Sequence, residues 1–320
     1  MKHLQSDKDS RQMAGQQPEG QRYPIVLTRD LVKYYGSGEN LVRAIDHTSL
    51  DLQRGEFTAI VGRSGSGKST LLHMLGGLDR PDSGKVLIEG QDISCLKDEE
   101  LARFRRRKIG FIFQDYNLVP SLNVWENIVL PIGLDGKKAD KEFVSSIVER
   151  IGIQDKLRAL PNTLSGGQQQ RIGILRALAA SPPIVLMDEP FSALDPMTRE
   201  TLQDEVKNIQ QKLGKTIVFV SHDMGEALKL ADVIIFMESG QVVQMASPEE
   251  MLEHPANDLV RNFLGKHTPE TSAPSKVEHF MRTNILTVKR DRGVLECAER
   301  MARGSVDTLL VTDEADRYVG

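Results

Sequence analysis

The sequence predicts an α/β protein whose core is a mainly parallel β-sheet covered by helices on both faces. Three fully apolar, strand-like runs carry this prediction: "FTAIVG", "PIVLMD" and "TIVFVS". After each run comes a segment with helical periodicity, respectively "KSTLLHMLGGL", "TRETLQDEVKNIQQKLG" and "GEALKLA". Buried strands that alternate with helices are typical of a parallel sheet with both faces covered.

The remaining elements extend this pattern over roughly residues 24–265. Two strands open it, "IVLTRDLVKYY" and "RAIDHTSLDL", and "GKVLIEG" and "IGFIFQ" are further strands. Helices are predicted across 123–131 and 140–152, and another helix follows residue 164. "VIIFMESGQVVQ" predicts a strand hairpin that turns near Gly240.

The composition is that of an ordinary globular protein with one large core and a second unit. The 320 residues are 39% hydrophobic and 27% charged, and the net charge of -4 gives no reason to expect a nucleic-acid partner. The one basic run, "RFRRRK" at 103–108, is interpreted as a solvated or partner-facing segment. Two distant cysteines, Cys95 and Cys297, indicate a reducing compartment without a disulfide framework. No apolar run approaches the ~18 residues of a membrane span.

Composition shifts divide the chain into four parts. Residues 1–23 lack the apolar core of a signal peptide and are predicted to be a disordered tail. Residues 24–265 hold the sheet pattern. Residues 266–275, "KHTPETSAPS", are polar, contain proline and are typical of a linker. Residues 276–320 predict a turn, a strand, a helix and a second strand.

A glycine-rich loop lies between the strand "FTAIV" and the helix after it. Its sequence "GRSGSGKS", from Gly62 to Ser69, fits the pattern G-x-x-x-x-G-K-[ST]. Glycines let backbone N–H groups wrap phosphate oxygens, Lys68 reaches the β and γ phosphates, and Ser69 can hold Mg²⁺. The position between a strand and a helix argues against a chance glycine-rich turn.

Two carboxylates, Asp188 and Glu189, end the apolar strand "IVLM". A phosphate-binding loop needs an acid at the end of a neighbouring strand to hold the Mg²⁺ shell, and Asp188 fits that role. Glu189 would orient or deprotonate the attacking water. Without the loop, the same pair would be interpreted as a helix N-cap.

Three single residues gain significance only beside that loop. His222, just beyond "TIVFVS", can place an imidazole near the γ-phosphate and the water, although a lone histidine is more often a cap or a core residue. Gln114 ends "IGFIFQ" and can contact Mg²⁺ and water. Tyr35 can stack on adenine, although a surface tyrosine is the default interpretation.

A second glycine-rich stretch, "LSGGQQQR" at 164–171, opens a helix. Glycines at a helix N-terminus let another group come close to the backbone. Free N–H groups and the positive end of the helix dipole favour an anion there. The stretch alone leaves open whose anion this is.

Together these motifs resemble the nucleotide-binding domain of an ABC transporter over essentially all of 24–265. The loop at 62–69, Gln114, "LSGGQ", "IVLMDEP", "SALD" and His222 stand in the order of that family. The resemblance implies a P-loop NTPase fold with a mainly parallel sheet, an antiparallel β subdomain and a helical subdomain. It implies ATP-binding residues at Tyr35, Gly62, Arg63, Ser64, Gly65, Ser66, Gly67, Lys68, Ser69, Thr70, Ser165, Gly166, Gly167, Gln168 and Asp195.

The resemblance also implies chemistry. It assigns an ATPase in which Glu189, His222 and Gln114 are catalytic, and in which Ser69, Gln114 and Asp188 hold Mg²⁺. Two protomers would form a head-to-tail dimer that sandwiches two ATP molecules, so that "LSGGQ" of one protomer completes the site of the other. A lone protomer should then be a poor ATPase, because half of the γ-phosphate cradle is missing.

Partners and location follow from the same resemblance. The expected partners are an integral membrane permease and, for an importer, a substrate-binding protein. The expected location is the cytoplasmic face of the cell membrane, with the chain bound peripherally.

Two transporter classes share the likeness. Residues 24–164 look like the ATPases of lipoprotein-release and macrolide-export systems, whereas residues 165–320 look like those of glycine betaine and other quaternary amine importers. The switch falls in "LSGGQQQR", which both classes share, so a hybrid or divergent chain is one hypothesis. Residues 276–320 resemble the first part of a CBS motif, a regulatory unit of osmoprotectant importers, without the later strand and helix.

The main interpretation is therefore the ATP-hydrolysing subunit of a quaternary amine importer. Export or lipoprotein release is the alternative within transport. A soluble ABC ATPase of translation or DNA repair is the alternative from another class, but such proteins carry two such domains or a long coiled-coil insertion, and the sequence has neither. A regulatory protein that has lost catalysis is disfavoured by the intact Lys68, Asp188, Glu189 and His222.

Overall fold

The computed structural model describes residues 24–192 and 194–265 and, towards the C-terminus, residues 287–293, 296, 297, 300, 301, 309–313, 317 and 318. The chain forms two compact units that divide between Thr268 and Pro269. The predicted tail at 1–23, the predicted linker at 266–275 and much of 276–320 lie outside the described residues.

The first unit is built from two β-sheets and the helices that cover them. Its strands are β1 (Val26–Tyr35), β2 (Val42–Leu52), β3 (Phe57–Val61), β4 (Ser83–Ile88), β5 (Gln91–Asp92), β6 (Ile109–Ile112), β7 (Ile184–Asp188), β8 (Thr216–Val220), β9 (Val233–Glu238) and β10 (Gln241–Ala246). Its α-helices are α1 (Lys68–Leu75), α2 (Asp98–Lys108), α3 (Val124–Leu134), α4 (Lys141–Ile151), α5 (Gly166–Ala179), α6 (Pro196–Leu213), α7 (Met224–Leu230), α8 (Pro248–Glu253) and α9 (Asp258–Leu264).

The larger sheet has six strands in the order β10-β9-β3-β8-β7-β6. β3 pairs in parallel with β8 and β9, and β7 pairs in parallel with β6 and β8, whereas β10 runs antiparallel to β9. The predicted mainly parallel sheet and the hairpin near Gly240 are thus confirmed. Because parallel strands end at the same edge of a sheet, the loops after β3, β7 and β8 leave it side by side.

The three apolar runs form the middle of this sheet, and every residue of β3, β7 and β8 is buried. Their side chains alternate between two hydrophobic cores, as the period of two in a strand requires. Phe57 and Phe219 pack on one face, with ring centroids 5.4 Å apart, while Ile60 and Val218 pack on the other. Burial on both faces explains why these runs lack polar alternation.

The smaller sheet is antiparallel and has the strand order β2-β1-β4-β5. It corresponds to the antiparallel β subdomain that the family resemblance implies. Tyr35 is the last residue of β1. The sheet thereby places this ring close to the phosphate-binding loop.

The helices α3 and α4, at 124–134 and 141–151, confirm two predicted helices, and local sequence explains their ends. The Asn123 side chain accepts a hydrogen bond from the N–H of Glu126, whose carboxylate accepts in turn from the N–H of Asn123. Asp140 caps α4, and Gly152 ends it with φ 71°. Buried Asn127 ties α3 to the segment after β6 through the backbone of Val119.

The basic run "RFRRRK" lies in the last turns of α2, where several of its cations contact this unit itself. Arg107 pairs with Asp135 at 2.8 Å, and Lys108 pairs with Glu89 at 2.7 Å. Arg105 donates to the carbonyl oxygen of Gly77. Lys137 and Arg107 together lower the pKa of Asp135 to about 2. The side chains of Arg107 and Lys108 are still 51% and 42% exposed, which agrees with a solvated segment, and contact of the run with a partner stays a prediction.

The second unit contains β11 (Thr287–Lys289) and β12 (Leu310–Thr312), which pair in parallel. Thr312 also forms an antiparallel bridge with Tyr318. This parallel pair agrees with the predicted strand, helix and strand order. Across the described residues of the whole chain, no helix is long and apolar enough to cross a membrane.

Candidate nucleotide site

The glycine-rich loop joins β3 to α1 and closes tightly on its own chain. Gly62, Gly65 and Gly67 have φ angles of 147°, 78° and 99°, a region that favours glycine. A Cβ atom on Gly62 would lie 2.1 Å from the carbonyl oxygen of Met237, and one on Gly67 would lie 2.1 Å from that of Ala44. The fold therefore requires glycine at both positions.

Lys68 is the first residue of α1 and is buried, with 7% of its surface exposed. Its Nζ atom donates to the carbonyl oxygens of Gly62 and Arg63 at 3.0 and 2.8 Å. Burial lowers the pKa of Lys68, against the opposite influence of Glu189 and Asp188. The ammonium group therefore lies inside the loop, at the place where a phosphate chain would run.

Ser69 and Asp188 bring a hydroxyl and a carboxylate together at the same edge of the sheet. The Ser69 Oγ atom donates to Asp188 Oδ1 at 2.9 Å, and the Nε2 atom of His73 lies 3.6 Å from Asp188 Oδ2. Burial raises the pKa of Asp188, while the hydrogen bond from Ser69 acts in the opposite direction. The structure thus pairs these two predicted Mg²⁺ ligands.

Glu189 and His222 follow the neighbouring strands β7 and β8, and their side chains meet. The Glu189 Oε2 atom lies 3.2 Å from His222 Nδ1. Glu189 has φ 46°, an uncommon value for a residue with a side chain, and its N–H donates to the carbonyl oxygen of Val220 at 3.1 Å. Strained backbone of this kind is frequent at functional sites, where it fixes the direction of a side chain.

A cleft of about 510 Å³ joins the loop to these two side chains. Its lining combines most of the predicted loop residues with the predicted adenine, acid and histidine positions: Tyr35, Val42, Ala44, Ser64, Gly65, Gly67, Lys68, Ser69, Thr70, Glu189 and His222. The volume and the mixture of apolar and polar groups suit a small-molecule ligand.

The ring of Tyr35 sits in this cleft with defined neighbours. Its hydroxyl donates to Asp79, and the Nζ atom of Lys33 lies 5.3 Å from the ring centroid. Burial and the bond to Asp79 raise the pKa of Tyr35. The side chain is 43% exposed, so part of the ring surface can receive a flat ligand.

Gln114 is exposed and lies two residues beyond β6. It is not among the residues that line the cleft. β6 pairs in parallel with β7, so Gln114 leaves the sheet at the same edge as Asp188. Its predicted contact with Mg²⁺ and water stays a prediction.

The "LSGGQ" stretch begins α5 and is also outside the cleft of its own protomer. Ser165 is the N-cap: its Oγ atom accepts from the N–H of Gln168, and the Gln168 side chain accepts from the N–H of Ser165. Gly166 and Gly167 lie in the first turn of α5, at backbone angles open to any residue.

Asp195 caps α6 by accepting from the N–H of Thr198 at 3.0 Å. Hydrogen bonding from Thr198 lowers the pKa of Asp195. The side chain is exposed and is not among the cleft residues. Asp195 and the "LSGGQ" stretch are thus predicted ligand residues that a single protomer does not bring to the loop.

Three residues near the site were missed by the sequence analysis: His73, Asp79 and Glu238. His73 follows Ser69 by four positions on α1, so helical periodicity alone places both on one face. Asp79 accepts a hydrogen bond from Tyr35, and the charge of Glu238, on the distant strand β9, acts to raise the pKa of Lys68. No local signal in the sequence marks the latter two.

The donor atoms at the cleft fit Mg²⁺. Ser69 and Asp188 offer hard oxygen ligands, which this ion prefers. Among the described residues, no group of three or more His, Cys, Asp or Glu side chains forms a metal site. Few protein ligands are expected for Mg²⁺ beside phosphates, because the ion usually takes one or two carboxylates together with substrate oxygens and water.

Comparison with known proteins assigns the family. The sequence profile described as "ABC transporter" matches residues 45–192. The "Glycine betaine/carnitine/choline transport ATP-binding protein OpuCA" of Bacillus subtilis is 43% identical over 293 residues, which are 90% of this chain and 75% of that protein. This chain belongs to the ABC transporter ATP-binding proteins. It is an ATPase that binds ATP, which confirms the prediction made from the loop and the carboxylates.

Two further relatives extend the likeness. The "Carnitine transport ATP-binding protein OpuCA" of Listeria monocytogenes is 42% identical and spans 91% of this chain and 72% of its own. The "Choline transport ATP-binding protein OpuBA" of Bacillus subtilis is 40% identical and spans 91% of this chain and 76% of its own. These alignments are long enough to include both sides of residue 164.

A solved structure confirms the fold class of this ABC ATPase. The "Dimeric structure of a post-hydrolysis state of the ATP-binding cassette MJ0796 bound to ADP and Pi" is 38% identical with a TM-score of 0.65. It covers 70% of this chain and 99% of the solved chain. The profile of the CBS domain matches residues 277–320, as the resemblance of the second unit predicted.

Proposed function

We propose that this ABC ATPase drives the uptake of a quaternary amine, such as glycine betaine, carnitine or choline, across a membrane. The support is that relatives covering about nine-tenths of the chain are transport ATP-binding proteins for these solutes. A CBS domain follows the ATPase unit, as the resemblance to osmoprotectant importers led us to expect. The alternatives of export and of a non-transport ATPase receive no support from these relatives.

The observation that carries the chemistry is the meeting of two side-chain pairs beside the glycine-rich loop. Ser69 of α1 contacts Asp188 at the end of β7, and Glu189, which follows β7, contacts His222, which follows the adjacent strand β8. Ser69 and Asp188 would hold Mg²⁺, which neutralises charge on the β and γ phosphates when it is bound. Lys68 would bind the same phosphates.

Glu189 is placed to orient a water molecule and accept its proton. His222 would hold Glu189 in position through the 3.2 Å contact and would face the γ-phosphate. Gln114 would contact Mg²⁺ and the water. Each of these three roles concerns the transfer of the γ-phosphoryl group to water.

A second protomer would complete the site. Ser165, Gly166, Gly167, Gln168 and Asp195 lie outside the cleft of their own protomer. They would contact the ATP bound by the partner protomer in a head-to-tail dimer. The exposed Ser165 and the helix N-terminus behind it are suited to a γ-phosphate that arrives from outside.

An integral permease and a substrate-binding protein would complete the transporter, with this chain at the cytoplasmic face of the membrane. Co-purification tests the first part: a tagged copy of this chain should retain a membrane subunit after extraction in detergent. Purification of the tagged chain without any membrane subunit would contradict the proposal.

Uptake measurements test the substrate class. In the source cells, deletion of this gene should abolish the uptake of labelled glycine betaine, carnitine or choline, and the wild-type gene should restore it. Complementation with Glu189→Gln should fail, because the subunit would bind ATP without turning it over. Uptake of labelled leucine should be unchanged in every strain. Normal uptake of all three amines in the deletion strain would reject the substrate proposal.

The hybrid hypothesis has a separate test. The identity of residues 24–164 and of residues 165–320 to quaternary amine and to export ATPases should be computed separately. A hybrid predicts opposite rankings for the two parts. The same ranking for both parts would favour descent from one transporter class.

A further inference from the structure

Beneath the catalytic pair, a buried carboxylate belongs to none of the roles above. Glu226 lies in the first turn of α7 and only 9% of its surface is exposed. Its Oε2 atom accepts a hydrogen bond from Ser221 Oγ at 2.7 Å, and its Oε1 atom accepts from Gln203 Nε2 at 3.2 Å. Ser221 and Gln203 are themselves 2% and 5% exposed. The result is a polar network inside an otherwise apolar region.

The network holds the turn that carries His222. The N–H of Asp223 donates to Ser221 Oγ at 3.0 Å, so the serine hydroxyl spans the backbone of His222. The Ser221 N–H donates to the carbonyl oxygen of Ile60 in β3. Glu226 therefore holds the hydroxyl of Ser221, and this hydroxyl holds the turn at residues 221–223. This turn sets the direction of the His222 imidazole towards Glu189.

The same carboxylate reaches the segment that includes Asp195. Arg199 Nε lies 3.9 Å from Glu226 Oε1, and Arg199 Nη2 donates to the carbonyl oxygen of Leu194 at 3.0 Å. The Arg199 N–H donates to the carbonyl oxygen of Asp195. The side chain of Glu226 is thus connected to both His222 and the start of α6.

Stability alone gives no reason for a carboxylate at this place. Burial raises the pKa of Glu226, since removing a carboxylate from water opposes ionisation. An apolar side chain of similar volume is frequently as stable as a buried ionic or polar group. Arg199 Nε is moreover buried without a hydrogen-bond partner, so the arginine is only partly satisfied. The network therefore has a cost that apolar packing would avoid.

We propose that Glu226 is a positioning residue that sets the direction of His222 through Ser221 and links it, through Arg199, to the segment that includes Asp195. It touches no substrate atom. Its effect on hydrolysis passes through the imidazole of His222. It also connects His222 to the segment with Asp195, which is proposed to contact the ATP bound by the partner protomer. This proposal rests on the role proposed above for His222.

The test compares single-turnover ATP hydrolysis by full-length variants with Mg²⁺ present. We expect Glu226→Leu to lower the rate by about 10- to 100-fold, a range typical of lost positioning. The hydrolysis rate of Glu226→Gln should stay within about threefold of the wild-type rate. The new amide oxygen still accepts from Ser221, and the side-chain amide of Gln203 can flip so that its oxygen accepts from the new NH₂ group. ATP affinity should be unchanged in both variants, since the loop around Lys68 is intact. Glu253→Leu, an exposed acid on α8, is the matched control and should be neutral.

A double variant separates positioning from general damage. In a His222→Ala background, Glu226→Leu should cause no further loss, because its effect already passes through the missing imidazole. An additional 10-fold loss in that background would overturn the proposal, and so would a wild-type rate for Glu226→Leu. If Glu226→Leu does not fold, Ser221→Ala provides the same comparison. A wild-type rate for His222→Ala alone would instead refute the proposed role of His222.

Discussion

The two glycine-rich stretches of this ATPase use glycine for different reasons. In the loop at 62–67, three glycines have positive φ angles, and backbone atoms of other strands lie where two of their Cβ atoms would be. In "LSGGQ", Gly166 and Gly167 have helical backbone in the first turn of α5. The first stretch needs glycine for an unstrained backbone. The second can fold without it.

The surroundings of the two stretches differ in the same sense. A Cβ atom on Gly167 would lie 3.3 Å from Leu194 Cδ2, and one on Gly166 would lie 2.8 Å from the hydroxyl of Tyr116, the movable end of a side chain. Neither contact involves backbone of another strand. The neighbours of these two glycines are therefore side chains, which can shift, rather than fixed backbone. The glycines of the loop are required by the fold of this protomer, whereas those of "LSGGQ" would be explained by the proposed contact with the ATP of a partner protomer.

The largest expected effect tests the loop that builds the site. Lys68→Ala should abolish ATP hydrolysis and weaken ATP binding, because it removes the buried ammonium group that lies between the loop carbonyls. Steady-state phosphate release and equilibrium binding of a fluorescent ATP analogue measure both effects. Lys212→Ala, at an exposed position of α6, should leave both unchanged. Turnover at the wild-type rate in Lys68→Ala would contradict the assignment of the loop as the phosphate-binding site.

The next effect concerns the "LSGGQ" stretch, which we propose contacts the partner protomer. Glu189→Gln should keep ATP binding but slow hydrolysis by at least about a hundredfold, since an amide cannot accept the proton of the water. Size exclusion with Mg²⁺ and ATP should then show a stable dimer. Adding Gly167→Ala should return the protein to a monomer, because the partner phosphate would no longer fit. A Glu189→Gln protein that stays monomeric with Mg²⁺ and ATP would contradict the sandwich.

A matched pair of glycine variants tests the comparison directly. Gly67→Ala should destabilise the fold by about 1–3 kcal/mol, the range for strained backbone, because of its φ of 99° and the carbonyl oxygen of Ala44. Gly167→Ala should not destabilise the fold, since alanine favours a helix over glycine. Urea unfolding measures both changes. Equal losses of stability in the two variants would show that the fold depends on both glycines to the same extent.

The same pair should separate binding from turnover. Gly67→Ala should lose ATP affinity in the monomer, whereas Gly167→Ala should bind ATP normally and hydrolyse it poorly. Weak ATP binding by a well-folded Gly167→Ala monomer would show that "LSGGQ" belongs to the site of its own protomer.

Much of this arrangement was predictable from the sequence. Three apolar runs and their helices predicted the parallel sheet, because strands buried on both faces have no polar alternation. The pattern ending in Lys68 and Ser69, and the two acids at the end of β7, predicted that the loop and these carboxylates meet at one sheet edge, whereas the contact between Glu189 and His222 was not predicted. These signals are local, so one sequence suffices to find them.

What the sequence did not reveal depends on contacts between distant segments. The charge of Glu238 on β9 influences the pKa of Lys68 on α1, and the network of Glu226 joins α7 to α6. The ion pairs of Arg107 and Lys108 also require partners far along the chain, Asp135 and Glu89, so the basic run alone does not reveal them. No periodicity within one segment specifies such pairs.

A smaller effect is expected at the N-cap of the "LSGGQ" stretch. Ser165→Ala should lower the free energy of unfolding by about 1 kcal/mol, because the N–H of Gln168 loses its acceptor. Ser121→Ala, at an exposed position in the segment before α3, should change it by less than about 0.5 kcal/mol. Chemical unfolding of both variants checks this prediction. A loss of several kcal/mol in Ser165→Ala would mean that the stretch is part of the folded core rather than a presented surface.

The smallest effect is expected from removal of residues 276–320. Both glycine-rich stretches and every predicted nucleotide residue lie before residue 223, in the first compact unit. Deletion should therefore leave ATP binding and basal hydrolysis within about twofold of the full chain, given that a polar linker at 266–275 would transmit little force between the units. Titration with AMP should likewise leave the basal rate of the full chain unchanged. Measurement of the rate against ATP concentration for both proteins decides the matter. If deletion halts hydrolysis, or if AMP shifts the rate only when residues 276–320 are present, the second unit regulates the nucleotide site.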